Sequence, residues 1–206
     1  MIFRKRLVVF SIIISCLVIV LLILFNYRTT GKAISRFTSA ELEPYLEDGD
    51  IICRLGDRLW SLYFRDLSPD DKRYSHLGIV RMGERNITVI NAEGTRWEGK
   101  DYVNETLLQD FISVAKKVGV YRLKGIDGAE VIEKTLEFVG TPFDWNFDLE
   151  DNGKLYCTEL LYAVLKNMDK GIQLETVFQK EVGKEIIPLE AISNSSDFIE
   201  VVCLYD

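Results

Sequence analysis

The chain opens with a run of nineteen uncharged, mostly apolar residues, Leu7 to Phe25, preceded by Arg4, Lys5 and Arg6. As a helix rising about 1.5 Å per residue, such a run spans roughly 28 Å, enough to cross the hydrocarbon of a bilayer. The apolar core of a cleavable signal peptide is shorter, about 7–15 residues, and ends in small residues. Here Phe25-Asn26-Tyr27-Arg28 follows instead. Residues 1–30 therefore read as an uncleaved transmembrane anchor, 31–44 as a polar spacer and 45–206 as one folded domain. Ile13-Ile14-Ser15-Cys16 loosely resembles a lipoprotein cleavage box, but nine more apolar residues follow Cys16, so it reads as a small residue inside the membrane helix. Arg28, Lys32 and Arg36 balance the three basic residues before the run, so charge alone gives no orientation. A lone N-terminal anchor acts as an uncut export signal, which places the domain outside the cytoplasm, in a bacterial cell envelope.

The part left to fold suits a single core. The 206-residue chain is 48% hydrophobic and 28% charged, with a net charge of -7. That balance suits a globular domain and disfavours nucleic acid, whose phosphates demand an excess of Lys and Arg. Beyond the anchor stand three cysteines, Cys53, Cys157 and Cys203, so at least one thiol stays free unless it pairs between chains. Cys53 and Cys203 lie in apolar, strand-like stretches and read as buried structural residues.

Hydrophobic periodicity divides the domain into short elements. Strands are expected at Ile51–Arg54, Leu77–Met82, Ile87–Ala92, Val118–Leu123 and Phe198–Leu204. Gly83-Glu84-Arg85-Asn86 closes a hairpin between the second and third. Helices are expected at Arg58–Phe64, at Asn104–Val114 with Asn104 as N-cap, at Ala129–Val139 and at Cys157–Asn167. Helices mixed with mostly antiparallel strands make an α+β fold.

Three places carry candidate chemistry. Cys157 stands where a polar loop enters an amphipathic helix. Unpaired N–H groups and the positive end of the helix dipole favour a thiolate there, and the same N–H groups suit an oxyanion. His76, the single histidine of the chain, heads an apolar strand, so any mechanism that needs an imidazole must use it. A lone histidine without an H-E-x-x-H or paired C-x-x-C pattern argues against a zinc enzyme; no metal and no cofactor are expected. Glu93 closes the strand after His76, where hairpin pairing brings it back toward the ring. A carboxylate there would fix the imidazole, as the third member of a triad does. Asn91 faces the same side of that strand and competes for the role. Tyr74, two residues before His76, is a weaker candidate for the substrate pocket or oxyanion.

Together these segments resemble the YiiX-like, circularly permuted branch of the NlpC superfamily of papain-like cysteine hydrolases. The resemblance rests on Gly49-Asp50-Ile51-Ile52, Ser75-His76-Leu77-Gly78-Ile79-Val80, Ile90-Asn91-Ala92-Glu93, and Gly140-Thr141-Pro142-Phe143-Asp144 leading to Leu155-Tyr156-Cys157-Thr158-Glu159-Leu160. It spans about residues 45 to 205, with the histidine before the cysteine as in the permuted branch. Thr158 departs from the serine expected there. The resemblance implies a permuted papain-like fold, a small antiparallel sheet or barrel with packed helices. It implies Cys157 as nucleophile, His76 as base and Glu93 near the polar third position. The implied activity is amidase- or peptidase-like cleavage through a thioester, on a cell-wall peptide or a lipid-like amide. The alternatives are an acyltransferase of the lecithin–retinol type and a non-catalytic binding module on the same fold.

Overall fold

Alternation of apolar residues along five strands decides the architecture. In a computed structural model, residues 14–21, 36–57, 59–95 and 100–205 are described. Residues 14–21 are helical (α1) and belong to a unit separate from the domain that follows. The rest of the expected anchor, within Leu7–Phe25, lies outside the described residues. Among the described residues no helix is long and apolar enough to cross a membrane.

The domain begins with helix α2 (Ser39–Leu42) and one 3-10 turn (Glu43–Tyr45). Phe37 and Leu42 are buried, so part of the stretch read as spacer contributes to the core. Then come β1 (Ile51–Gly56), α3 (Leu59–Asp66), β2 (His76–Met82), β3 (Ile87–Thr95), β4 (Lys100–Leu107), α4 (Leu108–Ile112), β5 (Ala115–Leu123), α5 (Gly128–Leu136), α6 (Cys157–Met168), β6 (Val177–Gln179), β7 (Lys184–Ile186), α7 (Glu190–Asn194) and β8 (Phe198–Tyr205). Six strands form one antiparallel sheet in the order β4-β3-β2-β1-β5-β8, which among the described residues stays open, with β4 and β8 at its edges.

The expected helix from Asn104 is half wrong. Residues 100–107 pair along β3, Asn104 opposite Asn91 and Thr106 opposite Val89, and the helix starts only at Leu108. Leu107, Leu108 and Phe111 fit a helical period, but strand pairing holds the first of them in the sheet. Tertiary pairing of this kind overrides local preference.

The two faces of the sheet bury different cores. Ile51, Cys53, Leu77, Ile79, Ile90 and Ala92 point to one face, where Leu160, Leu161, Val164 and Leu165 of α6 cover them. Ile52, Val80, Val89, Val118 and Val120 point to the other, under Leu42 of α2 and Leu108, Phe111 and Ile112 of α4. Full burial of one such aliphatic side chain contributes about 1.5–3 kcal/mol.

The edge of β4 delivers the cysteine. Val103 N–H donates to Thr141 O at 2.8 Å, and Gly140 N–H to Val103 O at 2.8 Å. Phe143 then bridges to Leu155 in parallel, with Leu155 N–H donating to Pro142 O at 3.0 Å. Two residues later α6 begins at Cys157.

Candidate active site

Helix α6 starts abruptly because Tyr156 is extended (φ −94°, ψ 175°) and Glu159 turns back to accept the Tyr156 N–H at 3.3 Å. Thr158 Oγ1 donates to Ile187 O at 2.6 Å, and Ile187 N–H donates to the Tyr156 hydroxyl at 2.9 Å, so the segment after β7 clamps this end. The Cys157 thiol is buried, with the backbone N–H groups of Leu77, Thr158 and Cys157 itself acting on it. Those groups favour a thiolate, as does the Arg54 charge, but burial outweighs them and pushes the thiol up to about 11. The lowered thiol expected from the helix terminus alone is thus reversed, because removing the sulfur from water costs more than the N–H groups return.

His76 starts β2, one residue before Leu77, and its ring leaves the strand on the other face. Its Nε2 lies 2.9 Å from Asn91 Oδ1, and its ring packs 5.7 Å from that of Phe111. Gly78 permits this: a Cβ there would come within 2.3 Å of Val89 and 3.0 Å of the Asn91 Cβ. The amide of Asn91 is itself oriented. Its Nδ2 lies 3.4 Å from both Val89 O and Thr106 Oγ1, while the Thr106 hydroxyl donates to Asn104 Oδ1 at 2.9 Å. Asn104 Nδ2 donates in turn to Tyr102 O at 3.0 Å. With Oδ1 therefore aimed at the ring, Nε2 carries the hydrogen and Nδ1 keeps the lone pair. Burial, then the Arg54 charge, push the imidazole down to about 4, against Glu93 and Asn91, which favour the cation.

Among the described residues no hydrogen bond joins Glu93 to the ring. Glu93 Oε1 takes Arg54 at 3.2 Å, and Asn91 fills the place behind the imidazole. Tyr74 is buried on the α6 side of the sheet. Its hydroxyl contacts Cys203 Sγ at 3.2 Å and lies over Gly119, where a Cβ would meet it at 2.0 Å; burial pushes this phenol far up. Cys53 and Cys203 are free thiols on that same side, and burial raises Cys53 strongly. The protonated Cys157 thiol thus lies by the Leu77 N–H on the α6 side, and the neutral His76 imidazole leaves the preceding residue on the other face. Among the described residues no hydrogen bond joins them.

The model of the permuted papain-like amidase family, YaeF/YiiX (C92), matches residues 45–192. The chain belongs to that family. Among solved structures, the crystal structure of yiiX from Escherichia coli O157:H7, described as a metalloprotein, aligns with TM-score 0.64 and 19% identity over 78% of this chain and 98% of that one. At that identity the likeness speaks for the fold. No curated protein matches the chain. Among the described residues of this member of the amidase family, no group of three or more His, Cys, Asp or Glu side chains is placed to hold a metal ion.

Two parts of the site were missed in the sequence. Thr106 and Asn104 stand behind Asn91, hidden by the helical reading of their segment. Arg54 lies opposite His76 in the β1/β2 register. The signal for it was a cation set in an otherwise apolar strand, Ile51-Ile52-Cys53-Arg54.

Proposed function

We propose that the domain is a cysteine hydrolase that cleaves an amide or ester through a thioester on Cys157, with His76 as its base. The observation that carries the reading is the shared address of the two groups: the thiol lies at the Leu77 N–H, and the imidazole is on the preceding residue. Because Asn91 holds Nε2–H, Nδ1 is the nitrogen that takes a proton. As sulfur attacks the carbonyl carbon, the S–H proton passes to His76. The C–N or C–O bond then breaks and the leaving group takes that proton. Water, deprotonated by the same ring, releases the acid and restores the thiol. The Cys157 and Thr158 N–H groups are the candidate oxyanion donors. Asn91 orients the base, and Glu93 acts on the site through Arg54.

The acyl part fits an apolar group better than an acidic cell-wall peptide. A run of rings leads from the surface to the residue before Cys157: Trp60 to Tyr63 at 6.5 Å, Tyr63 to Phe64 at 5.6 Å, Phe64 to Phe147 at 5.9 Å and Phe147 to Tyr156 at 5.1 Å. Trp60 is 63% exposed. A lipid-like amide or ester matches that path, and transfer to an acceptor other than water is the variant of the same chemistry. Attachment to an envelope membrane through Leu7–Phe25 belongs to this reading.

The test is a panel of N-acyl amides, acyl esters and cell-wall peptides, with Cys157→Ala beside the unaltered protein. The expected result is turnover with a substrate-derived acyl adduct on Cys157 by mass spectrometry, and none in the variant. Turnover by Cys157→Ala at the unaltered rate would overturn the proposal.

A further inference from the structure

Arg54 is placed where an acyl-transfer site has use for a fixed cation. It sits directly opposite His76 in the sheet, on the same face. Its side chain is only 11% exposed. The guanidinium contacts Glu93 Oε1 at 3.2 Å, the carbonyl of Phe111, and the face of the Phe111 ring 4.3 Å from its centroid. The His76 ring packs on that same Phe111. One aromatic side chain therefore carries both the base and the cation, and Glu93 fixes the cation from the far strand. Burying a charge this deeply is costly unless the charge is used or well paired. A structural ion pair needs no such neighbour.

We propose that Arg54 is a positioning residue of the acyl-transfer site: Glu93 and Phe111 fix its guanidinium beside His76, where its charge favours the thiolate of Cys157 and drives the proton onward from the imidazole to the leaving group. The inference rests on the hydrolase reading above and deepens it. Arg54 lowers the cost of a thiolate at Cys157 and raises the cost of an imidazolium at His76. The proton taken from sulfur is then held by a strong acid and passes readily to the departing amine or alcohol. Glu93, on this account, tempers the cation instead of bracing the ring. Cys53 on β1 and Tyr156 before α6 also act with the thiol, and burial holds both protonated.

The experiment follows alkylation of Cys157 by iodoacetamide across pH, read on its own peptide by mass spectrometry, in the full chain. Arg54→Met should raise the apparent pKa of Cys157 by about one unit and slow alkylation about tenfold at a fixed pH below it. Arg54→Lys, keeping the charge, should recover most of that loss. Glu93→Gln should move the profile the other way, toward faster alkylation, because the carboxylate charge that tempers the cation is then gone. A purely structural pair would be broken alike by either change, and both profiles would shift in one direction. Shifts of the same sign in Arg54→Met and Glu93→Gln, an Arg54→Lys profile as slow as that of Arg54→Met, or no shift in a Glu93→Gln protein that remains folded by thermal melting, overturn the inference. If Arg54→Met unfolds, the other two variants still decide it. Activity separates the two levels: a fully active Cys157→Ala ends the hydrolase reading, whereas an inactive one with an unshifted Arg54 series ends only the role of Arg54.

Discussion

The two faces of the sheet treat ionisable groups differently. On the α6 face, Cys53, Cys157, Tyr74 and Glu159 are buried among aliphatic and aromatic side chains, and burial holds each in its protonated form. On the α4 face, a charged pair and a chain of amides and hydroxyls run through an otherwise apolar core, from Glu93 and Arg54 to His76, Asn91, Thr106 and Asn104. The first face suppresses charge by desolvation, whereas the second pairs Arg54 with Glu93 and gives the desolvated, neutral His76 a hydrogen-bond partner in Asn91. The difference teaches that a proposed nucleophile and base need not rest as an ion pair. The Cys157 thiol and the His76 imidazole both rest neutral, and on the proposed hydrolase reading the proton moves only as a bond to carbon forms.

The largest way to break this contrast is through the α4 face. Phe111 is 1% exposed and carries Arg54 and His76 together. Phe111→Ala should destabilise the domain by about 3–5 kcal/mol, and denaturant unfolding measures it. Leu160→Ala, under α6, should cost about 2–5 kcal/mol by the same cavity argument. Only the Phe111 change should also disturb the ring. Histidine nitrogen shifts by NMR, with Nε2–H as the resting tautomer, should alter in Phe111→Ala and stay fixed in Leu160→Ala. Equal disturbance by both variants would erase the distinction between the faces.

A smaller effect belongs to Asn91. It is fully buried, and Asn91→Leu leaves the His76 Nε2–H without an acceptor. A buried donor so orphaned costs about 1–3 kcal/mol. The Nε2–H signal should give way to a mixture of tautomers, and turnover should fall through kcat more than KM. Were Glu93 the true ring partner, Asn91→Leu would leave the tautomer unchanged.

Much of this was legible along the chain, and the rest was not for identifiable reasons. Cys157 and His76 stood out because each opens a strongly patterned element, and local pattern is what a sequence shows directly. The β2–β3 hairpin was legible because its turn is only four residues long. Asn104 and Thr106 were misread because Leu107, Leu108 and Phe111 satisfy a helical period, and only pairing with a distant strand decides otherwise. Arg54 was illegible because its meaning lies in register: nothing local says that residue 54 faces residue 76. The choice between Asn91 and Glu93 turned on the same kind of information.

The pH dependence of stability separates the faces by sign. The His76 imidazole is depressed to about 4 from about 6.5, so the unfolded chain binds its proton first. Its contribution is full above about pH 6.5 and is lost as pH falls toward 4. The Cys157 thiol is raised to about 11 from about 9, so the folded chain holds its proton longer. That contribution is present below pH 9 and is lost as pH rises toward 11. His76→Gln should flatten the acid side of a stability profile and Cys157→Ala the alkaline side. Exchange of those two outcomes would reverse the sign assigned to each group.

The smallest effect sharpens the contrast inside α6 itself. Glu159 is 4% exposed, and burial, with Asp144, Asp151 and Asp148 nearby, lifts its carboxyl to about 8 from about 4.5, against the Tyr156 N–H that it accepts. A carboxyl so raised is more readily ionised in the unfolded chain, so it costs stability as pH rises from about 4.5 to about 8. Glutamine keeps an oxygen for the Tyr156 N–H and carries no charge to desolvate. Glu159→Gln should therefore melt above the unaltered protein at pH 8 and coincide with it near pH 4. If the gain were the same at both pH values, the cap geometry alone would account for it, and the α6 face would not be suppressing charge at this position.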